Sequence, residues 1–223
     1  YTLSLHDALP ILVIEGLATP YLETVERTLE QSLKLMWDES HLAHMLVQAD
    51  PLNMGNNAGE AGVNVGSPDN PIVIPQGMAA GAEKLEEVIT SLQLLLVQQN
   101  AMSFGGDTAL ILPALAASRA MPILRDLNQC CSENNIRITG QLGKTLYGFD
   151  AFQTNRRVLS TVHNGKKIYY LIAADKNASG FVSDIYNFKW WEGKFDTYLV
   201  GEETHGSYVV QPQHIAVACV TFA

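Results

Sequence analysis

The stretch "GQLGKT" sets Gly143, Lys144 and Thr145 side by side, the residue types that cradle and neutralise a phosphate. Such a loop needs a glycine five positions earlier, where this chain has Ile138. It also needs a helix opening at the lysine, so that amide dipoles meet the phosphate. "TLYGFDAF" follows instead and reads as strand, so the motif is set aside. "HLAH" puts His41 and His44 three apart, a spacing at which two imidazoles on one helix can share a metal ion. A site would need a third ligand, and Glu39 falls on another face, so both are read as ordinary surface histidines. Glu202, Glu203 and His205 in "EETH" could act as acid, base or ligand, but a polar turn between strands accounts for them. Cys130 and Cys131 could be nucleophile or ligand, yet no histidine or aspartate stands at a recognisable spacing from them. "GNNAGEAG" has cofactor-loop glycines without the flanking strand and helix, and "NAS" at 177–179 is a bare glycosylation sequon. A dispersed site built from His163, His205 and Cys131 is the one enzymatic arrangement worth naming. No base, nucleophile and oxyanion-stabilising group come together, and the sequence assigns no catalytic, cofactor-binding or metal-ligating residue.

Bulk properties narrow the classes further. An apolar fraction of 47% against 17% charged is that of a folded globular chain and not a disordered one. The net charge is −9, and the longest basic runs are the pairs Arg156–Arg157 and Lys166–Lys167. A surface that binds nucleic acid by releasing counterions is therefore not expected. No apolar stretch reaches the length of a membrane span; "LQLLLV" falls far short of one. The three cysteines, Cys130, Cys131 and Cys219, are an odd number with one adjacent pair, the pattern of reduced thiols and not of a disulfide framework.

The elements that would position any site are readable from periodicity. Residues 20–47 are predicted as one helix of about 42 Å, with Thr19 as N-cap and Pro20 in the first turn. Leu22, Val25, Leu29, Leu33 and Met36 form its apolar stripe, while Glu23–Arg27 and Glu30–Lys34 are i,i+4 pairs on the other side. "NMGNNAGEAGVNVGSPDNP" reads as a long Gly/Asn loop, and "PIVIP" as a short strand. "AEKLEEVITSLQLLLVQQN" is a second helix with Leu85, Val88, Ile89, Leu92 and Leu96 on one face. "TALILP" is a buried strand, and "ALAASRAMPILRDL" a helix that Pro122 kinks or splits. "GQLGKTLYGFDAFQTN" is strand, turn at Gly148, strand, and "KKIYYLIAAD" is another strand. "FDTYLV", "GSYVV" and "HIAVACVTFA" close the chain as three strands, separated by the turn "GEETHG" and by "QPQ". The last is apolar on both faces and belongs inside a sheet. The class is α+β, helices first and antiparallel strands last.

The opening eleven residues, "YTLSLHDALPI", fit neither helix nor secretory signal, because Pro10, His6 and Asp7 interrupt every pattern. The string resembles the translation of a common short-read sequencing adapter. Residues 1–11 are therefore expected to be a non-native scar, with the native chain beginning upstream.

The order of segments resembles the tailed-bacteriophage major capsid proteins of the Hong Kong 97 fold. A long helix ends near "DESHLAHML", a Gly/Asn loop leads to "LEEVITSLQLLL", and "ALILP" precedes a helix. "LYGFDAFQTN", "YYLIAADKNASGF" and "GSYVVQPQHIAVACVTFA" follow in that order. Gly206, Tyr208, Val210, Pro212, Ala216 and Val217 match the family's closing motif. The resemblance covers about residues 17–223. It implies a peripheral domain with the spine helix over 12–50, an axial domain over 51–188, and C-terminal strands returning to the peripheral domain over 189–223. It further implies a non-enzymatic subunit that forms pentamers and hexamers, with portal, scaffold and enclosed double-stranded DNA as partners, and with no cofactor. The expected locations are the virion and, during assembly, the bacterial cytoplasm. The family's N-terminal arm and extended loop have no counterpart in "LVIEGLA", so a 5′-truncated frame able to form only small oligomers is expected. The rival readings are a bacterial nanocompartment shell of the same fold, an α+β enzyme with a dispersed site, and a peptide- or sugar-binding accessory protein of a virion.

Overall fold

A computed structural model describes residues 18–60, 62–102, 107–126, 141–192 and 197–223. The expectations on residues 1–11, on Ile138 and on Cys130 and Cys131 lie outside these. Two compact units emerge: Tyr1–Ser40 with Phe181–Ser207, and His41–Gly180 with Tyr208–Ala223.

The predicted long helix is present as α1, Ala18–Gln48. At 31 residues it extends about 46 Å. Thr19 is itself helical in it, so it is not the cap. Glu30 and Lys34 pair at 2.6 Å as their spacing predicts; the Glu23 side chain lies outside the description. In the first unit Leu33 and Trp37 are buried. Trp37 packs on Phe181 with ring centroids 5.7 Å apart. Val25 and Leu29 are only half-buried, and Met36, expected on the stripe, is 40% exposed. The same unit carries most of a two-stranded ribbon, β7 (Ser179–Glu192) paired with β8 (Thr197–Val209). β8 runs unbroken through "GEETHG", which corrects the predicted turn there.

The second unit is built on a seven-stranded sheet. Its strands are β1 (Ile72–Ile74), β2 (Thr108–Pro113), β3 (Gln141–Leu146), β4 (Phe149–Thr154), β5 (Ser160–His163), β6 (Lys166–Asp175) and β9 (Ile215–Phe222). The order is β1-β9-β6-β2-β4-β3, with β5 beside the start of β6. β9 is antiparallel to β6 and parallel to β1, and β2 is parallel to β4, so the sheet is mixed. Alternate residues of the central strands feed two cores. Leu171, Ala173, Ala216, Ala218 and Val220 pack with α2 (Met78–Gln98) and α3 (Ala114–Asp126). Ile172, Ala174, Ile215 and Val217 pack with Leu42, Met45 and Ala49 from the end of α1. Burial on both faces explains why these strands read as continuous apolar runs. All five residues predicted for the inner face of α2 are 0–1% exposed. α3 passes through Pro122 without a break, so the proline neither splits nor ends it.

The Gly/Asn segment is held by its own chain. Ala58 bridges Val63, and Gly55 bridges Gly66. The Cys219 amide donates to the Val65 carbonyl at 2.8 Å, and Val65 and Ala58 belong to the core. Buried Asn53 donates through Nδ2 to the carbonyls of Gln213 and Ile215. Two hairpins close on two-residue turns with both φ positive: Tyr147–Gly148 between β3 and β4, and Asn164–Gly165 between β5 and β6. That geometry matches the right-handed twist of the flanking strands.

Candidate functional site

The sequence-predicted chemistry disperses over the fold. Lys144 and Thr145 lie in strand β3, so no helix N-terminus faces them and the phosphate-loop geometry is absent. His41 and His44 are half-buried on α1, and His41 Nε2 is 3.2 Å from Ser179 Oγ. Glu202, Glu203 and His205 sit on β8, with side chains outside the description. His163 ends β5 and pairs with Asp69 at 2.7 Å. Asn177 follows β6 in a turn that its own side chain and amide close onto Asp175 Oδ1. No group of three or more histidines, cysteines or acids is placed to hold a metal among the described residues.

The perturbed groups read as buried structure. Cys219, central in the sheet, has its thiol pushed up to about 12 by burial, which keeps it protonated and unreactive. The Tyr170 phenol beside it is raised by burial and by that neighbour. Tyr147, at the β3–β4 turn, donates its hydroxyl to Glu86 on α2. Burial and then the Glu86 carboxylate push it up to about 12. Sequence reasoning missed this pair, because nothing in the spacing of 86 and 147 announces it.

What the second unit offers outward is contact surface. An apolar groove of about 460 Å³ is lined by Leu46, Val47, Met54, Tyr170, Val217 and Cys219. Val47 and Leu52 nearby are 78% and 64% exposed. Two further clefts, of about 520 and 600 Å³, share Leu115, Lys167 and Tyr169. Among the described residues no helix is long and apolar enough to cross a membrane.

No family model matches the chain, and no curated protein matches it. Solved structures do. The capsid structure of the cyanophage P-SCSP1u aligns over 95% of this chain and 67% of its own, at a TM-score of 0.55 and 14% identity. A chain of Mycobacterium phage Che8 aligns over 90% of this chain at a TM-score of 0.54 and 15% identity. This chain spans 62% of that one, less than two thirds of its length. The fold is α+β and is that of a phage capsid subunit, as the resemblance in segment order implied.

Proposed function

We propose, from the capsid fold, that this chain is a structural subunit of an icosahedral tailed-phage head. In this reading it is the major capsid protein and has no catalytic role. It assembles with itself into pentamers and hexamers that enclose double-stranded DNA, with portal and scaffold proteins as associates. It functions in the virion after assembly in the bacterial cytoplasm. One observation carries the reading: the fold shared with the cyanophage capsid over 95% of the chain. Two others agree with it. Exposed apolar side chains such as Val47, Leu52 and Val162 suit lateral contacts more than a reaction centre. A net charge of −9 suits a wall that confines nucleic acid by repulsion and leaves it unbound.

The deciding experiment expresses the protein from its complete reading frame, alone and with its scaffold, and images the product by negative-stain microscopy. Closed shells are expected. A protein that stays monomeric under all conditions and turns over a small-molecule substrate would overturn the reading in favour of an enzyme.

A further inference from the structure

Several lysines of this chain stand beside an acid: Lys34 with Glu30, Lys84 with Glu87, Lys176 with Asp150. Three other cations break that habit and gather in one place. Arg119, Lys166 and Lys167 line the 520 Å³ cleft with Gln76, Tyr169 and Thr221. The adjoining cleft adds Arg156 and Arg157 across the shared Lys167 and Tyr169. Neither lining contains an aspartate or glutamate. At one edge an oxygen of Ala223 accepts from the Gln76 amide.

Among the described residues, the cations in the first cleft lack oxygen partners of their own. Arg119 sets Nη1 against the Met78 thioether, a weak acceptor, and its buried Nε has no hydrogen-bond partner among the described residues. Lys167 Nζ lies 5.4 Å from the centre of the Tyr169 ring. A guanidinium so placed still has donors to offer a carboxylate, and an incoming acid would complete what the fold leaves open.

We propose that these two clefts together seat an acidic segment of a second copy of this chain. The inference rests on the shell-subunit reading, in which identical copies meet. Its own support is charge. With five of the 14 cations gathered here, nine remain against all 23 carboxylates, so the rest of the surface a second copy presents is predominantly acidic. Accessible carboxylates exist: the side chain of Asp69 is 82% exposed. A basic cleft meeting an acidic surface elsewhere on the next copy is a heterologous contact, the kind that closes into rings. Nucleic acid fits less well. Tyr169, the aromatic residue shared by both clefts, already has Lys167 Nζ over its ring and Phe222 packed against it, and bases need a free face to stack on.

The test compares K166Q/K167Q with K34Q/K84Q, in the chain expressed from its complete reading frame. Both remove two positive charges, but the second pair comes from exposed i,i+4 and i,i+3 ion pairs, which contribute little. Sedimentation velocity over a concentration series reads association, and a short DNA duplex is added in a parallel arm. The expected result is an association midpoint shifted by about tenfold for K166Q/K167Q and within about twofold for the control. Equal shifts in both variants would overturn the cleft proposal and leave the subunit reading standing. Unchanged association with loss of duplex binding in K166Q/K167Q would overturn it too, by placing phosphates in the cleft. An unaltered chain that never associates would overturn both the cleft and the subunit reading.

Discussion

Leu33 and Trp37 stand one helical turn apart, and both are closed off from solvent, while Leu29 a turn earlier is half-buried. Leu33→Ala is therefore expected to cost about 2–5 kcal/mol, and Leu29→Ala clearly less, as read by urea denaturation. Equal costs would mean that the burial difference does not operate in solution. The stripe was legible in the sequence up to Leu33. It then favoured Met36, three residues on, where the buried residue is Trp37, four on; spacings of three and four are equally helical, and packing decides between them. Tyr147 carries a pH dependence. Its folded-state value is raised, so its contribution is complete below about pH 10 and is lost as pH climbs toward 12, because the unfolded phenol ionises first. Tyr147→Phe is expected to flatten that alkaline loss, and to cost about 1.5–3 kcal/mol at neutral pH through the lost bond to Glu86. A pH series of thermal melts on both proteins measures it.

At the scale of elements, strands buried on both faces and helices with a clean apolar face were readable, because each carries its burial as a local pattern. β6 and β9 fall within a residue of their predicted spans or match them. The ribbon was readable only in part: β8 was read as two strands, "FDTYLV" and "GSYVV", parted by a turn, and β7 was not read as a strand. "SGFVSDIYNFKWWE" breaks the alternation of a strand, and "GEETHG" has turn residues, yet both are extended because each has the other to bond to. The Gly/Asn segment hid a different fact: its glycines serve close approach. Gly66 sits at φ +78°, and a Cβ there would lie 2.2 Å from the Cys219 carbonyl oxygen, rigid backbone that cannot yield cheaply. Gly66→Ala is expected to cost about 2 kcal/mol or more, adding overpacking to backbone strain. It should also expose Cys219 to thiol reagents in the folded state, a readout for peptide-resolved mass spectrometry. An unperturbed melt with unchanged labelling would show that the segment relaxes freely. The candidate contact surfaces were the least legible of all. The cleft cations come from α3, the approach to β5, and the start of β6, and no short window holds them.

At the scale of the molecule, the order of segments gave the capsid fold away before any single motif did, since layer order survives where side chains drift. β9 lies between β1 and β6, yet it is translated after both, and its parallel partner β1 begins 143 residues before it. Contacts this distant in sequence form late. Until β9 arrives, β6 and β1 each present a raw backbone edge, the kind that pairs with whatever strand is nearest. On this topology the sheet would act as a checkpoint on synthesis: a polypeptide released early would have helices and hairpins but a slot between β1 and β6 where β9 belongs. A chain stopped after His214 is expected to aggregate, and to regain solubility when a peptide spanning 215–223 is supplied during refolding, measured by light scattering. If the shortened chain instead stays monodisperse with full helical content, β9 is dispensable and the checkpoint does not exist. If it holds, only chains whose translation has run past the strand that locks the sheet reach the native fold.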